Sequence, residues 1–125
     1  ALDINLNGND LILQSTLYNN TGLYIYDSTG GGSVYSADGY TVSELINNSG
    51  TLVWENAEII LQDGQWGIFT SGELTMNSGS VTAPETTTYA TYGVLYQAAA
   101  ADRTNVSAAA ITVTGDVVLV EQAAE

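Results

Sequence analysis

The sequence predicts an all-β fold: a small single domain built as a sandwich, a meander or a barrel-like sheet, with one or two short helical turns. Three observations carry this. Apolar residues alternate with polar ones at the period of a strand, beginning with Leu2, Ile4 and Leu6 against Asp3, Asn5 and Asn7. Short apolar runs are punctuated by turn residues, most clearly at Asn7-Gly8, Asp63-Gly64 and Gly115-Asp116. Helix-forming stretches are too short to pack on propensity alone.

The first alternating run and Leu11-Ile12-Leu13 fit two strands joined by a tight hairpin at Asn-Gly. Further strands are expected at Gly22 to Tyr26, Thr51 to Trp54, Ala57 to Gln62, Gln65 to Thr70, Glu73 to Met76, Tyr92 to Gln97, Ala109 to Thr114 and Val117 to Glu121. Asp63-Gly64 lies between two apolar runs, as a type I′ hairpin turn demands, and Gly115-Asp116 is a third hairpin signal. Ser43 to Asn47 and Gln97 to Arg103 each fit a short helical turn. Ser28 to Gly39, with its Gly30-Gly31-Gly32 run, reads as a flexible loop. Ala83 to Tyr89 holds the only proline, Pro84, and reads as a link to the final strands.

A loose echo runs through the chain: Asn20-Thr21-Gly22, Asn48-Ser49-Gly50, Thr70-Ser71-Gly72 and Asn77-Ser78-Gly79 each look like a turn feeding a strand. Such units could stack as a β-solenoid, but the spacing between them varies from 7 to 28 residues, which favours a meander or sandwich over a true repeat. Residues 1–7 are therefore expected to be a strand-like arm and residues 8–125 one β-rich domain.

The composition excludes several kinds of function. Fourteen acidic residues against one basic residue, Arg103, give a formal net charge of -13, which repels nucleic acid and anionic lipid surfaces alike. Apolar runs fall well short of a membrane span, and Ala1 begins directly in a strand-like pattern without a basic leader. Ala1 suits removal of an initiator methionine and equally the start of a mature secreted chain. His, Cys and Lys, which supply most general bases, soft metal ligands and covalent nucleophiles, are absent from the sequence. Glu55 and Glu58 beside Trp54 are the nearest approach to a carboxylate pair, but solvated strand-edge charges look the same. Asn7-Gly8-Asn9-Asp10 has part of the spacing of a calcium loop, yet apolar Leu11-Ile12-Leu13 follows where ligands are needed. The Gly-rich segment lacks the Lys and opening helix of a phosphate loop. The expectation is a non-enzyme with no cofactor or metal.

What remains is recognition of proteins, with a glycan-binding fibre or adhesin module as a further possibility. Tyr24, Tyr26, Tyr35 and Tyr40 are candidate interface anchors, while Trp54 and Trp66 read as core. Three glycosylation acceptors, at Asn19, Asn47 and Asn105, are the number that chance yields in a chain so rich in Asn, Ser and Thr. Leu2, Ile4 and Leu6 line one face of a strand that can be added to a partner's sheet, in a capsid or in an extracellular filament joined by donor strands. Arg103, the lone cation beside Asp102, is expected to pair with a carboxylate within the chain or across an interface.

The C-terminal third carries a family resemblance. Residues Ala90-Thr91-Tyr92-Gly93-Val94-Leu95-Tyr96, the Ala98 to Thr104 turn, and Ala108 to Val118 ending in Gly115-Asp116-Val117 resemble the lambda-type head decoration proteins of tailed bacteriophages. In that family a Gly-Val/Ile-Leu strand, an Ala- and Asp-rich turn and an apolar strand ending in Gly-x-Val recur together. Gly93, Val94, Leu95, Gly115 and Val117 are the matching positions, and about a quarter of the chain is covered. The resemblance implies a homotrimer on the virion surface that binds the major capsid protein and cements the shell, with the N-terminal segment adding a strand to it. The first two-thirds of the chain departs from the proline-rich pattern of those proteins.

Overall fold

A strand of four or five residues with one apolar face cannot bury that face alone, and here each strand does so by stacking on its equivalent one coil away. The computed structural model describes residues 2–97, 105–108 and 110–123. Among them the all-β expectation holds: there are fifteen strands and no α-helix. They form five coils of three strands, each coil contributing one strand to each of three parallel sheets. The first coil is β1 (Leu2–Asn5), β2 (Leu11–Leu13) and β3 (Leu17–Asn19). The second is β4 (Gly22–Tyr26), β5 (Ser33–Ser36) and β6 (Glu44–Asn48), and the third β7 (Thr51–Glu55), β8 (Ala57–Ile60) and β9 (Trp66–Thr70). The fourth is β10 (Glu73–Met76), β11 (Gly79–Thr82) and β12 (Tyr92–Tyr96), and the fifth β13 (Val106–Ala108), β14 (Ile111–Thr114) and β15 (Val118–Gln122). The chain is a β-solenoid.

Parallel register stacks like side chains in ladders through the interior. Leu23, Leu52 and Leu74 form one ladder in the first sheet, and Ile25, Trp54 and Met76 the next. Val34, Ile59 and Val81 form the equivalent in the second sheet, and Ile46, Ile68 and Val94 in the third. All twelve are buried. Trp54 is wholly enclosed, with its indole N–H donated to the Ala57 carbonyl at 3.0 Å, so its assignment to the core is right. Gly67 and Gly93 sit where the third sheet approaches the second. A Cβ on Gly67 would lie 2.5 Å from the Gly93 carbonyl oxygen and 3.1 Å from Cγ2 of Ile59. The missing side chains are the space that Ile59 and Val81 occupy.

The sandwich, meander and hairpin arrangement expected from the sequence is corrected by this topology. Asp63-Gly64 does turn the chain, with Gly64 at φ +78°, but it carries β8 of the second sheet to β9 of the third. Asn7-Gly8 and Gly115-Asp116 likewise turn between different sheets. A tight turn fixes where a strand ends; it leaves open whether the next strand pairs with it or moves to a new sheet.

The flexible loop expected over residues 28–39 is largely ordered by Asp27, which is buried. Its carboxylate accepts the backbone N–H of Gly8, Thr29 and Gly30 at one oxygen and of Gly32 at the other, 2.6 to 3.0 Å away. Three consecutive glycines let the backbone wrap that closely, and β5 follows directly. The helical turn expected over Ser43 to Asn47 is instead β6, whose Leu45, Ile46 and Asn48 are all buried. Burial in the solenoid outweighs weak local preference. The Gln97 to Arg103 turn lies, apart from Gln97, outside the described residues.

The repeat was hidden in corner length. Leu23 and Leu52 are stacked neighbours 29 residues apart, whereas Leu52 and Leu74 are 22 apart. Corners between the second and third sheets range from residues 14–16 to residues 83–91. The corner from third sheet to first is constant over the first three coils, at Asn20-Thr21, Ser49-Gly50 and Ser71-Gly72. Three of the four echoed motifs are this one corner, and the fourth, Asn77-Ser78-Gly79, turns from first sheet to second.

Candidate functional site: the open strand edges

In a parallel sheet alternate residues direct their N–H and C=O to opposite neighbours, so an end strand leaves half of its backbone groups unpaired on one side. The solenoid has six such strands. β1, β2 and β3 pair only with the second coil, and β13, β14 and β15 only with the fourth, among the described residues. The Leu6 N–H is donated to the Tyr26 carbonyl at 2.8 Å, so the backbone groups of Asp3 and Asn5 face the open side of β1. At the other end the Thr114 carbonyl accepts the Ala83 N–H at 2.9 Å, which turns Ile111 and Val113 to the open side of β14.

Leu2, Ile4 and Leu6, expected to form a free arm, are placed differently. β1 is the first strand of its own sheet, with Leu2 against Leu23 and Ile4 against Ile25. Leu6 is buried in the core. The apolar face meant for a partner is largely spent on the second coil, because an in-register neighbour is already present in the same chain. Leu2 remains 61% exposed at the rim. The division into an arm at 1–7 and a domain from 8 onward is corrected accordingly.

Tyr24 and Tyr26 stack on one another at a centroid distance of 4.5 Å on the outer face of β4. The Tyr24 hydroxyl is donated to the Glu55 carboxylate. That hydrogen bond, together with burial and the negative charge around it, pushes the Tyr24 phenol up to about 12. The Tyr35 hydroxyl is donated to Asp10 at 3.3 Å, and burial and Asp10 raise its pKa. These three are half-buried and tied within the chain, whereas Tyr40 is exposed. Trp66, expected in the core, is half-buried against Phe69 at 6.0 Å and borders a surface groove. Arg103 lies outside the described residues. Glu55 serves Tyr24, while Glu58 accepts Ser33 and Thr82 hydroxyls at 3.0 and 2.8 Å; the two carboxylates thus head separate hydrogen-bond groups.

The positions behind the C-terminal resemblance all have packing roles. Gly93, Val94 and Leu95 belong to β12 and are buried, and Val94 stacks between Ile68 and Val120. Gly115 turns the chain at φ +96° where it crosses the Ala83 carbonyl, and Val117 packs against the core. No family model, curated protein or solved structure matches the chain.

Sequence reasoning missed the ladder of polar groups inside the third sheet. Asn19 Nδ2 is donated to Asn48 Oδ1 at 2.8 Å, and Asn48 Nδ2 to Thr70 Oγ1 at 3.0 Å and to the Glu73 carbonyl at 2.9 Å. Asn19 and Asn48 therefore fasten the corners of the first and second coils, and Asn19 is buried rather than available as a glycosylation acceptor. The signal was present in the echoed triplets that open at Asn48 and Thr70, whereas the first, Asn20-Thr21-Gly22, starts one residue after the Asn19 that pairs with Asn48.

Proposed function

We propose that the chain is a structural assembly protein whose end-coil edges are completed by a neighbouring polypeptide, most directly another copy stacked end to end. The observation that supports this is the coincidence of unpaired backbone with exposed apolar surface. Of the large exposed apolar side chains, Leu2, Ile12 and Tyr18 lie on the first coil and Val113 and Val118 on the last. An open parallel edge is a template for strand addition, and a solenoid continues without a break in register when another coil is added. The two ends are opposite sides of the same three parallel sheets, so association is head to tail and propagates into a filament.

In the virion version of this reading, which rests on the C-terminal resemblance, the neighbour is the major capsid protein and the chain acts as a trimer on the shell. The extracellular version is a thread of identical subunits. Neither version involves catalysis. Negative-stain imaging of the purified chain at increasing concentration tests the proposal. Threads support end-to-end growth, discrete trimers support the capsid version, and isolated single particles at every concentration refute both.

A further inference from the structure

The exposed tyrosines are not scattered. Tyr18, Tyr40 and Tyr89 are 73, 46 and 69% exposed, and all three stand at or beside the corner between the second and third sheets, in the first, second and fourth coils. Two adjoining hollows follow that corner. One, of about 390 Å³, runs between Gln14 and Tyr18 on the first coil and Thr41 and Glu44 on the second. The other, of about 280 Å³, lies between Thr41 and the Gln62–Trp66 turn of the third. They share Thr41, Val42 and Ser43 as a common wall, which Tyr40 immediately precedes. The result is one groove running along the solenoid axis across three coils, about 5 Å apart.

The groove is built before anything enters it. The buried Gln65 side chain donates to Ser36 Oγ at 3.0 Å and to the Val42 carbonyl at 2.9 Å, locking the corner of the second coil to that of the third. Asp63 accepts the backbone N–H of Thr88 and Tyr89 at 3.0 to 3.1 Å. The Gly64 N–H is donated to Thr91 at 2.8 Å. These bonds hold the Tyr89 loop against the second hollow, and a rigid groove binds with little ordering cost.

Its chemistry selects the ligand. Tyr18 lines one hollow and Trp66 the other, while exposed Tyr40 stands beside their common wall, and aromatic faces stack on the apolar C–H face of a sugar ring. Amide and hydroxyl side chains such as Gln14, Ser43 and Gln62 pair with its hydroxyls. The carboxylates of Glu44 and Asp63 accept further hydroxyl hydrogen bonds and repel anionic polymers, and the lining has no basic side chain. From this we infer that the groove binds an uncharged linear polysaccharide laid along the solenoid axis, a role separate from end-to-end assembly that has Tyr18 of the first coil in common with it.

The test is affinity electrophoresis of the 125-residue chain through gels containing hydroxyethylcellulose, galactomannan, dextran or, as the anionic control, polygalacturonate. Retardation by at least one neutral polymer is expected, with none by polygalacturonate. Tyr18→Ala combined with Tyr40→Ala, both exposed and so compatible with the fold, should weaken the retardation about tenfold with an unchanged melting temperature. Because Trp54 is enclosed, a change in tryptophan emission, excited selectively above the tyrosine band, reports Trp66. Migration unaffected by all three neutral polymers, equal retardation by polygalacturonate, or retention of binding in the double variant would each overturn the inference.

Discussion

Asn48 is wholly buried, and each polar atom of its amide is engaged, with Asn19 on the first coil, Thr70 on the third and Glu73 at the start of the fourth. Asn48→Ala removes three hydrogen bonds and leaves donors and acceptors stranded in the interior, which should cost about 2 kcal/mol in urea denaturation. A change below about 0.5 kcal/mol would mean that the ladder fills space and little else. Gly67 is constrained from the opposite direction. Gly67→Ala drives a methyl into the Gly93 carbonyl and Ile59, an overpacking cost of about 1–3 kcal/mol. At Asp27, burial alone would raise the carboxyl pKa, but the N–H groups of Gly30, Gly32, Gly8 and Thr29 outweigh it and hold the group below its ordinary value of 3.8. A depressed folded value means that Asp27 stabilises the fold above its unfolded pKa, and that this contribution is lost as pH falls through the folded one. The melting-temperature gap between the native chain and Asp27→Asn should therefore be constant from about pH 5 to 8 and narrow below about pH 4. Parallel curves throughout would remove Asp27 from that role.

At the scale of the element, strands with alternating or continuous apolar runs were legible in the sequence: β1, β2, β4, β7, β8, β9, β10, β12, β14 and β15 all fall within expected runs to within a residue or two. Five were not: β3 and β13 are three-residue edge strands, too short to display a period, and the other three share a reason. β5 is Ser-Val-Tyr-Ser beside three glycines, β6 begins with a helix-compatible Glu-Leu-Ile after Ser43, and β11 is Gly-Ser-Val-Thr. Their strand character comes from a neighbour in register on each side, which local pattern cannot display. The candidate arm at Leu2, Ile4 and Leu6 was legible as a strand for its alternation, but its partner is β4 of the same chain. A chain beginning at Gly8 should therefore lose about 3 kcal/mol, since Leu6 and Ile4 leave the core. Melting like the full chain would mean that β1 contributes little to the sheet it joins.

For the whole molecule, the solenoid turns a repeat that unequal corners conceal into a stack whose first and last coils each pair on one side only, among the described residues. The groove at its corner was equally hidden, because Tyr18 and Trp66 line adjoining hollows only once the coils stack. The charge of -13 opposes association of like copies, so strand addition should strengthen as salt rises from 0.01 to about 0.5 M and the Debye length shrinks. Weakening by salt would point to an electrostatic contact in place of an apolar and backbone one. The most direct measurement is sedimentation of the native chain beside Asp3→Pro and Val113→Pro, over a range of concentration. Each proline removes an N–H that faces the open edge and leaves the internal ladder intact, so both variants should melt close to the native chain. The native chain should show a weight-average mass that climbs with concentration, and each variant should arrest that growth. A native chain that stays monomeric throughout, or proline variants that associate as it does, would contradict assembly through the strand edges.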